Sequence, residues 1–180
     1  MKIEILSNIK DGELFSIAGI EFIKFSDKDG ITTAVVKDTI GKYRFGNNNN
    51  FAESDIKKML EEEFLLKLEK EIGAENIVEH EVDLLSLDGS TKWGKIRCKA
   101  SLPTFDFYRL NRKIFEKYKL DEYWWLATPD STTEYYRNND WCVCVSPIGG
   151  IINSRIYCNI NDGVRPFLTF VSSISISCEE

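Results

Sequence analysis

Two tryptophans stand side by side in Tyr123-Trp124-Trp125-Leu126-Ala127-Thr128-Pro129, and about 35 residues later the chain runs Gly163-Val164-Arg165-Pro166-Phe167-Leu168. In an extended segment neighbouring side chains point to opposite faces, so Trp124 and Trp125 demand two apolar environments at once. One is expected in the core and the other beneath a loop. Each indole also needs a partner for its N–H. The later run places a permissive backbone, a β-branched residue, a fork-shaped cation and a fixed φ in succession. Arg165 is expected to pin a neighbouring loop by hydrogen bonds to carbonyls or a carboxylate. Trp124, Trp125, Arg165 and Pro166 are read as structural.

The surrounding pattern is that of one α+β domain spanning residues 1–180. With 43% hydrophobic residues in 180, the chain can bury a sizeable core. Alternation over 14–25, a turn at Asp27-Lys28-Asp29-Gly30 and a return over 31–36 predict a front hairpin, 14–36. Ser54 can cap a helix over 54–72, whose inner stripe is Ile56, Met59, Leu60, Phe64, Leu68 and Ile72 and whose stop is Gly73. Residues 77–87 read as a strand with a turn at Asp88-Gly89. Thr104 can cap a second helix, 104–118, with Phe107, Leu110, Ile114 and Tyr118 inward. Strands around Trp124, Trp141 to Val145, Gly150 to Tyr157 and Val164 to Val171 complete a sheet core over 123–171.

Charge and thiols narrow the function. The net charge is −6, which disfavours nucleic acid as a direct ligand. Residues 51–90 hold twelve acidic and four basic residues, a net of −8. Such a block is a solvated helix face or a docking surface for a cationic protein, with Glu61, Glu62 and Glu63 at its centre. Five cysteines, an odd number, and no apolar leader in Met1 to Leu6 point to reduced thiols and the cytosol, with no membrane association.

Sequence signs of chemistry are sparse. The single histidine, His80, lies between Glu79 and Glu81 with no nucleophile-elbow motif nearby, and reads as a surface histidine. Cys142 and Cys144 are two apart, which is not the spacing of a zinc knuckle, and are read as structural. Ile148-Gly149-Gly150 is a hairpin turn, not a phosphate cradle. No catalytic residue, metal site or cofactor is assigned. The stretch Tyr135, Tyr136, Arg137, Asn138, Asn139, Asp140, Trp141 stands out differently. It is a polar-aromatic loop of the residue types enriched in recognition surfaces, and Tyr135, Tyr136, Arg137, Asn139 and Trp141 are its candidate binding residues.

Several of these runs share one likeness. Asn50-Phe51-Ala52-Glu53-Ser54-Asp55-Ile56-Lys57-Lys58-Met59-Leu60 with Glu63-Phe64-Leu65, then Leu84-Leu85-Ser86-Leu87, the double-tryptophan segment and Gly163-Val164-Arg165-Pro166 resemble a domain of unknown function. That domain is common in Firmicutes and in their phages and mobile elements, and is marked by "SDIRKWLNxEF", "LLSL", "WWLRSP" and "GVRPAL". Leu102-Pro103-Thr104 and the terminal Gly-Val-Arg are similar, more distantly, to the frame of formylglycine-generating-type domains. The resemblance implies a C-type-lectin-like fold: two helices packed on a small, twisted, mostly antiparallel sheet, with long loops on one side. The chain departs from the pattern at Ala127, Thr128 and Phe167. The paired catalytic cysteines of formylglycine-generating enzymes and a lectin-type acidic calcium triplet have no counterpart.

The resulting expectation is a non-catalytic protein-binding module of phage or mobile-element origin, acting in the bacterial cytosol. It would inhibit a basic, nucleic-acid-handling host protein such as a defence nuclease, as anti-CRISPR proteins do. The alternative is lectin-like recognition of a glycan or cell-surface ligand through the Tyr135–Trp141 loop.

Overall fold

The structure, a computed structural model, describes residues 2–135, 139–155 and 162–178. In chain order the strands and helices are β1 (Lys2–Ile5), β2 (Leu14–Ile17), β3 (Ile20–Lys28), β4 (Ile31–Val36), α1 (Asp55–Met59), α2 (Leu65–Ile72), β5 (Ile77–Val78), β6 (His80–Asp83), β7 (Lys95–Cys98), β8 (Ala100–Ser101), α3 (Phe105–Leu110), α4 (Arg112–Lys117), β9 (Trp124–Pro129), β10 (Trp141–Val145), β11 (Ile151–Arg155), β12 (Phe167–Val171) and β13 (Ser175–Cys178). The architecture is α+β, with antiparallel pairing in every strand ladder among the described residues.

The sheet is larger than the small one expected. Eight strands join it in the order β1-β13-β2-β3-β4-β12-β5, with β8 also on β12. A three-stranded sheet β11-β10-β9 and the two-stranded ribbon β6-β7 complete the set. The front hairpin is in fact two consecutive hairpins. Ala18 (φ 52°) and Gly19 (φ 73°) form a tight turn inside what reads as one alternating strand, and Asp29 (φ 53°) with Gly30 (φ 78°) forms the next. Two positive φ values in a row suit the right-handed twist of a hairpin. Alanine rarely accepts that conformation, which is why the first turn is hidden in the sequence.

Alternation sends side chains to both faces of the main sheet. Phe15, Phe22, Ala34, Val36, Leu168 and Phe170 pack with Ile56, Leu60, Phe64 and Leu68 of the first helix. Ile23, Phe25 and Val35 face the other way, against Tyr108 and Phe115 of α3 and α4. Trp125 belongs to the first cluster and Trp124 to the second, both almost fully buried. Neither tryptophan lies merely beneath a loop: strand β9 is covered on both faces.

The first helix is capped by Ser54, whose hydroxyl accepts from the Lys57 amide at 3.0 Å. Between α1 and α2 it widens into a π-helical turn, Leu60–Phe64. The reason is legible in the stripe. Ile56, Leu60, Phe64, Leu68 and Ile72 recur at strict four-residue steps, and each step overshoots an α-helical turn by about 40°. The wide turn takes up part of that drift and keeps both halves facing the core. The second helix is capped by Thr104, as its sequence predicts, but breaks at Asn111, whose side-chain amide donates to the Phe107 carbonyl at 2.9 Å. The break turns Leu110 outward, 80% exposed, where an inner position was expected. Tyr108 takes the inner place and donates its hydroxyl to the Gly149 carbonyl at 2.9 Å.

The two signature runs meet. The Trp125 amide donates to Gly163 O at 3.0 Å and the Gly163 amide to Tyr123 O at 2.7 Å. A Cβ on Gly163 would collide with the Thr39 side chain, so the crossing requires glycine. Arg165 is buried (1% exposed) and donates from Nε to Val36 O at 3.1 Å and from its terminal nitrogen to Lys37 O at 2.6 Å. Its guanidinium carbon lies 4.9 Å from the Trp124 ring centre and 5.4 Å from that of Phe115. Burial lowers its pKa to about 10, opposed by the charges of Asp38 and Tyr108, so it stays cationic at neutral pH. The Pro166 carbonyl accepts from the Val36 amide at 2.9 Å, continuing the same seam.

Replacing Arg165 by leucine removes the donor from a buried carbonyl, Val36 O, and from a part-buried one, Lys37 O. A loss of about 3 kcal/mol is expected in urea unfolding, with Arg165→Lys recovering only part of it because an ammonium lacks the planar fork.

Candidate functional site: a clasped loop above an aromatic and acidic groove

Loops normally carry function on a rigid scaffold, and here the Tyr135–Trp141 loop has its ends fixed from two sides. The first clasp is Asn49, fully buried. Its side-chain amide donates to Ser131 O at 2.7 Å and to Trp141 O at 2.8 Å, its backbone amide to Asn139 O at 2.8 Å, and its side-chain carbonyl accepts from the Trp93 indole at 3.1 Å. Every side-chain capacity but one lone pair is thereby engaged.

The second clasp is the segment 86–90. The Asp88 carboxylate accepts from the Ser86 hydroxyl, from the Ser90 amide at 3.1 Å and from the Thr132 amide at 3.3 Å. Thr132 donates its hydroxyl to that of Ser90 at 2.6 Å, and Ser90 in turn donates to Glu134. The backbone closes the seam, with Leu87 N to Pro129 O at 3.0 Å and Asp88 N to Asp130 O at 3.2 Å. Satisfied buried polar groups of this kind specify one geometry at considerable cost if broken.

Between the clasps and the loop lies a groove of about 640 Å³. Leu87, Tyr135 and Trp141 give its apolar lining; Asp88, Asp130, Ser131 and Asn153 give its polar lining. Tyr135 is 65% exposed. The two carboxylates behave differently. Burial pushes Asp88 up, but the hydrogen bonds from Ser86, Ser90 and Thr132 outweigh it and hold the group below its ordinary value. Burial pushes Asp130 up and the Asp88 charge pushes it further, against the 2.7 Å hydrogen bond from Asn153. The groove therefore presents an aromatic wall beside a carboxylate pair.

The candidate binding residues fall in separate places. Tyr135 and Trp141 share the groove, and Asn139 ties the loop to Asn49 through its carbonyl. Tyr136 and Arg137 lie outside the described residues. Glu61, Glu62 and Glu63 sit exposed on the π-helical turn; Glu63 lines a different cleft of about 400 Å³ with Ile20, Asp38, Tyr43 and Lys67. The acidic block is also less acidic in space than along the chain. Asp55 pairs with Arg44, Glu61 with Lys57, Glu69 with Lys99, Glu79 with Arg97, and Glu81 and Asp83 with Lys95. Four of those cations come from outside the block. Sequence reading missed Asn49, Asp88, Asp130 and Asn153. The run Asn47 to Asn50 and the Asp88-Gly89 turn carried the only signal, and it reads equally as ordinary loop.

The residues weighed for catalysis are placed unfavourably for it. His80 Nε2 is hydrogen-bonded to Ser101 Oγ at 2.8 Å, and Ser101 Oγ also lies 3.1 Å from Leu102 O. Its Nδ1 is buried with no partner, and its ring packs edge-on to Phe167 at 4.7 Å. This is a packed histidine, not the surface histidine expected. Burial, helped by the Arg97 charge, lowers its pKa to about 4. Burial pushes the Cys98 thiol up to about 11, the Cys144 thiol up to about 12, and the Cys142 thiol well above its ordinary value. Thiolates, the nucleophilic and metal-binding form, are thus disfavoured at all three. Among the described residues no group of three or more His, Cys, Asp or Glu is arranged to hold a metal ion. Likewise, no helix there is long and apolar enough to cross a membrane.

Comparison of the chain with protein-family models, with curated proteins and with solved structures gives no match in any of the three.

Two outcomes follow from this geometry. Asn49→Ala strands two carbonyls and an indole N–H, so a loss of about 3 kcal/mol is expected, with faster amide exchange at 131–135 and 139–141 than in β2 to β4. For His80, the unfolded chain takes up a proton near pH 6.5, whereas the folded protein takes it up only near pH 4. Stability is therefore lost as pH falls through that window, by on the order of 3 kcal/mol. Urea midpoints of a His80→Gln variant should lose most of this dependence between pH 6.5 and 4.

Proposed function

We propose that the chain is a non-catalytic protein-binding module that recognises its partner through the Tyr135–Trp141 loop and the groove beneath it. The observation that carries this reading is the double clasp. Asn49 on one side and Ser86, Asp88, Ser90 and Thr132 on the other hold the two described ends of the loop, which carry an exposed tyrosine and a half-buried tryptophan. Pre-ordering lowers the entropy lost on binding, and Tyr and Trp are the usual anchors of protein interfaces. Asp88 and Asp130 favour a partner with a basic surface. The half-buried, proton-poor His80 and the raised thiols of Cys98, Cys142 and Cys144 support binding over catalysis.

On this reading the fold is C-type-lectin-like, a view supported by the crossing of the double-tryptophan and Gly-Val-Arg segments and by the long loop on one side. The origin is a phage or mobile element, and the basic partner is a host nucleic-acid-handling protein that the module inhibits, as anti-CRISPR proteins do. Glu61, Glu62 and Glu63 then form a separate acidic contact with the same partner.

The same groove favours a second reading. An aromatic wall with two carboxylates and an amide is also a surface on which a sugar can stack and donate hydrogen bonds. Glycan-array binding, with or without calcium, that disappears in Trp141→Ala would support that reading and displace the first.

The test of the first is co-purification from a bacterial lysate, identification of the bound protein and measurement of its affinity. Tyr135→Ala and Trp141→Ala should each weaken binding by about tenfold or more, roughly 1.4 kcal/mol. The triple substitution Glu61→Gln, Glu62→Gln, Glu63→Gln should weaken binding modestly and flatten its salt dependence. Unchanged affinity in both tryptophan and tyrosine variants rejects the loop as the binding surface; an unchanged triple variant rejects only the acidic contact.

A further inference from the structure

We infer that β6 accepts an apolar strand of a partner peptide, laid along its free edge in the groove between the β6-β7 ribbon and α3. This is a second recognition surface, separate from the Tyr135–Trp141 loop. The backbone carries the first observation. β6 pairs with β7 alone, and the ladder runs on to Leu84, whose amide donates to Gly94 O at 3.0 Å. Bonded positions alternate along an antiparallel ladder, so His80, Val82 and Leu84 turn their backbone groups toward β7. Glu81 and Asp83 turn theirs the other way, and among the described residues no backbone group of this chain pairs with them. An edge of this kind is a template for strand addition.

The second observation is the space beside that edge. A cavity of about 130 Å³ is lined by His80, Glu81 and Val82 together with Leu102, Phe107 and Phe167. Successive strand residues point to opposite faces, so a cavity touched by three in a row lies against the edge of the strand and not against one face. Its volume is a little below the ~150 Å³ of an apolar cavity that takes a benzene-sized guest, which suits one aliphatic side chain. A larger groove of about 410 Å³ continues from it, sharing Glu81 and Thr104, and runs past Asp83, Leu85, Leu87 and Phe105. Leu85 and Leu87 are 42% and 43% exposed.

The chemistry of the occupant follows from the lining. The charges along the groove are matched within the chain: Lys95 lies 2.8 Å from Glu81 and 3.7 Å from Asp83, and Arg109 lies 2.9 Å from Asp106. A charged occupant would have to compete with these pairs, whereas an uncharged one leaves them in place. Apolar surface lies at both ends of the edge, in the small cavity around Val82 and on the ridge of Leu85 and Leu87. A strand with apolar residues in succession presents them to both of its faces and covers the two together. Main-chain hydrogen bonds to Glu81 and Asp83 then hold the strand, and the cavity selects one of its side chains.

The test titrates the whole protein with the probe acetyl-Ser-Leu-Val-Leu-Ser-amide, with its all-serine analogue, and with two versions methylated at one or the other alternate set of backbone nitrogens. The readouts are the backbone amide resonances of Glu81 and Asp83 and the methyl resonances of Val82 and Leu85. The unmodified peptide should shift all four saturably and slow hydrogen exchange at the two amides. The serine analogue should bind about tenfold or more weakly. A paired strand uses the N–H groups of one edge only, so one methylated version should bind and the other should not. Asp83→Pro, at an edge position that tolerates proline because its N–H faces outward, should weaken the peptide by about tenfold. Where that variant does not fold, Leu85→Ser at its exposed site decides, with a loss of about fivefold expected. The proposal is overturned if no probe shifts Glu81 or Asp83, if both methylated versions bind alike, if the serine analogue binds as well as the apolar peptide, or if the folded variants bind unchanged. It is overturned too if the same resonances shift with protein concentration alone, which would make a second copy of this chain the occupant of the edge. The loop reading is tested on the partner protein with Tyr135→Ala and Trp141→Ala, so the two surfaces can fail separately.

Discussion

A buried cation organises this protein. The Arg165 guanidinium is almost wholly buried, donates to the carbonyls at the exit of β4, and is faced by Trp124 and Phe115. One side chain thereby joins four parts of the chain: the end of the front strands, the double-tryptophan strand, the second helix pair and the lead-in to β12. Burying a charge is unfavourable unless its donors are met, and a guanidinium can meet carbonyls and aromatic faces together. The glycine at 163 belongs to the same constraint, because the close backbone crossing that brings Arg165 into place leaves no room for a side chain.

A second set of buried polar groups serves a different purpose. The main sheet would keep its core without Asn49, Ser90 or Thr132, which pack no strand against another. What they fix is a loop. Buried polar side chains are justified energetically only when their partners are complete; Asn49 meets backbone carbonyls at 131 and 141, while the Ser90 and Thr132 hydroxyls meet each other and Glu134. The proposed recognition role rests on that separation of scaffold from loop. The groove beneath the loop is edged by rigid elements, β9 and β10 on one side and the segment 86–90 on the other.

Local features of the fold were legible in the sequence. Ser54, Thr104 and Gly73 mark helix ends because capping needs only neighbours along the chain. The pairing of the double-tryptophan strand with the Gly-Val-Arg segment could be anticipated because both runs are chemically unusual. The Ala18-Gly19 turn was hidden, since alanine seldom takes a positive φ and the alternation continues through it. Leu110 was misplaced because Asn111 ends the helical phase one residue later. For the site, Tyr135 and Trp141 stood out by type, whereas Asn49 and Asp130 did not. Their roles depend on partners 82 and 23 residues away, and nothing local distinguishes them from any loop asparagine or aspartate. The acidic block misled for a related reason: a charge run is read along the chain, but most of its neutralising cations arrive from β7 and its surroundings.

The π-helical turn between Leu60 and Phe64 has a consequence for how this chain tolerates change in length. Deleting a single residue there would restore regular α-helical geometry and leave the second half turned by only about 30°, because the wide turn already holds close to one residue more than an α-helical turn. A deletion anywhere else in the helix would rotate everything after it by about 100° relative to the first half. Leu65 and Leu68 would then swing away from the sheet and charged neighbours such as Lys67 and Glu69 toward it. The π turn is thus the one place in this helix where homologous chains should differ by a residue in length.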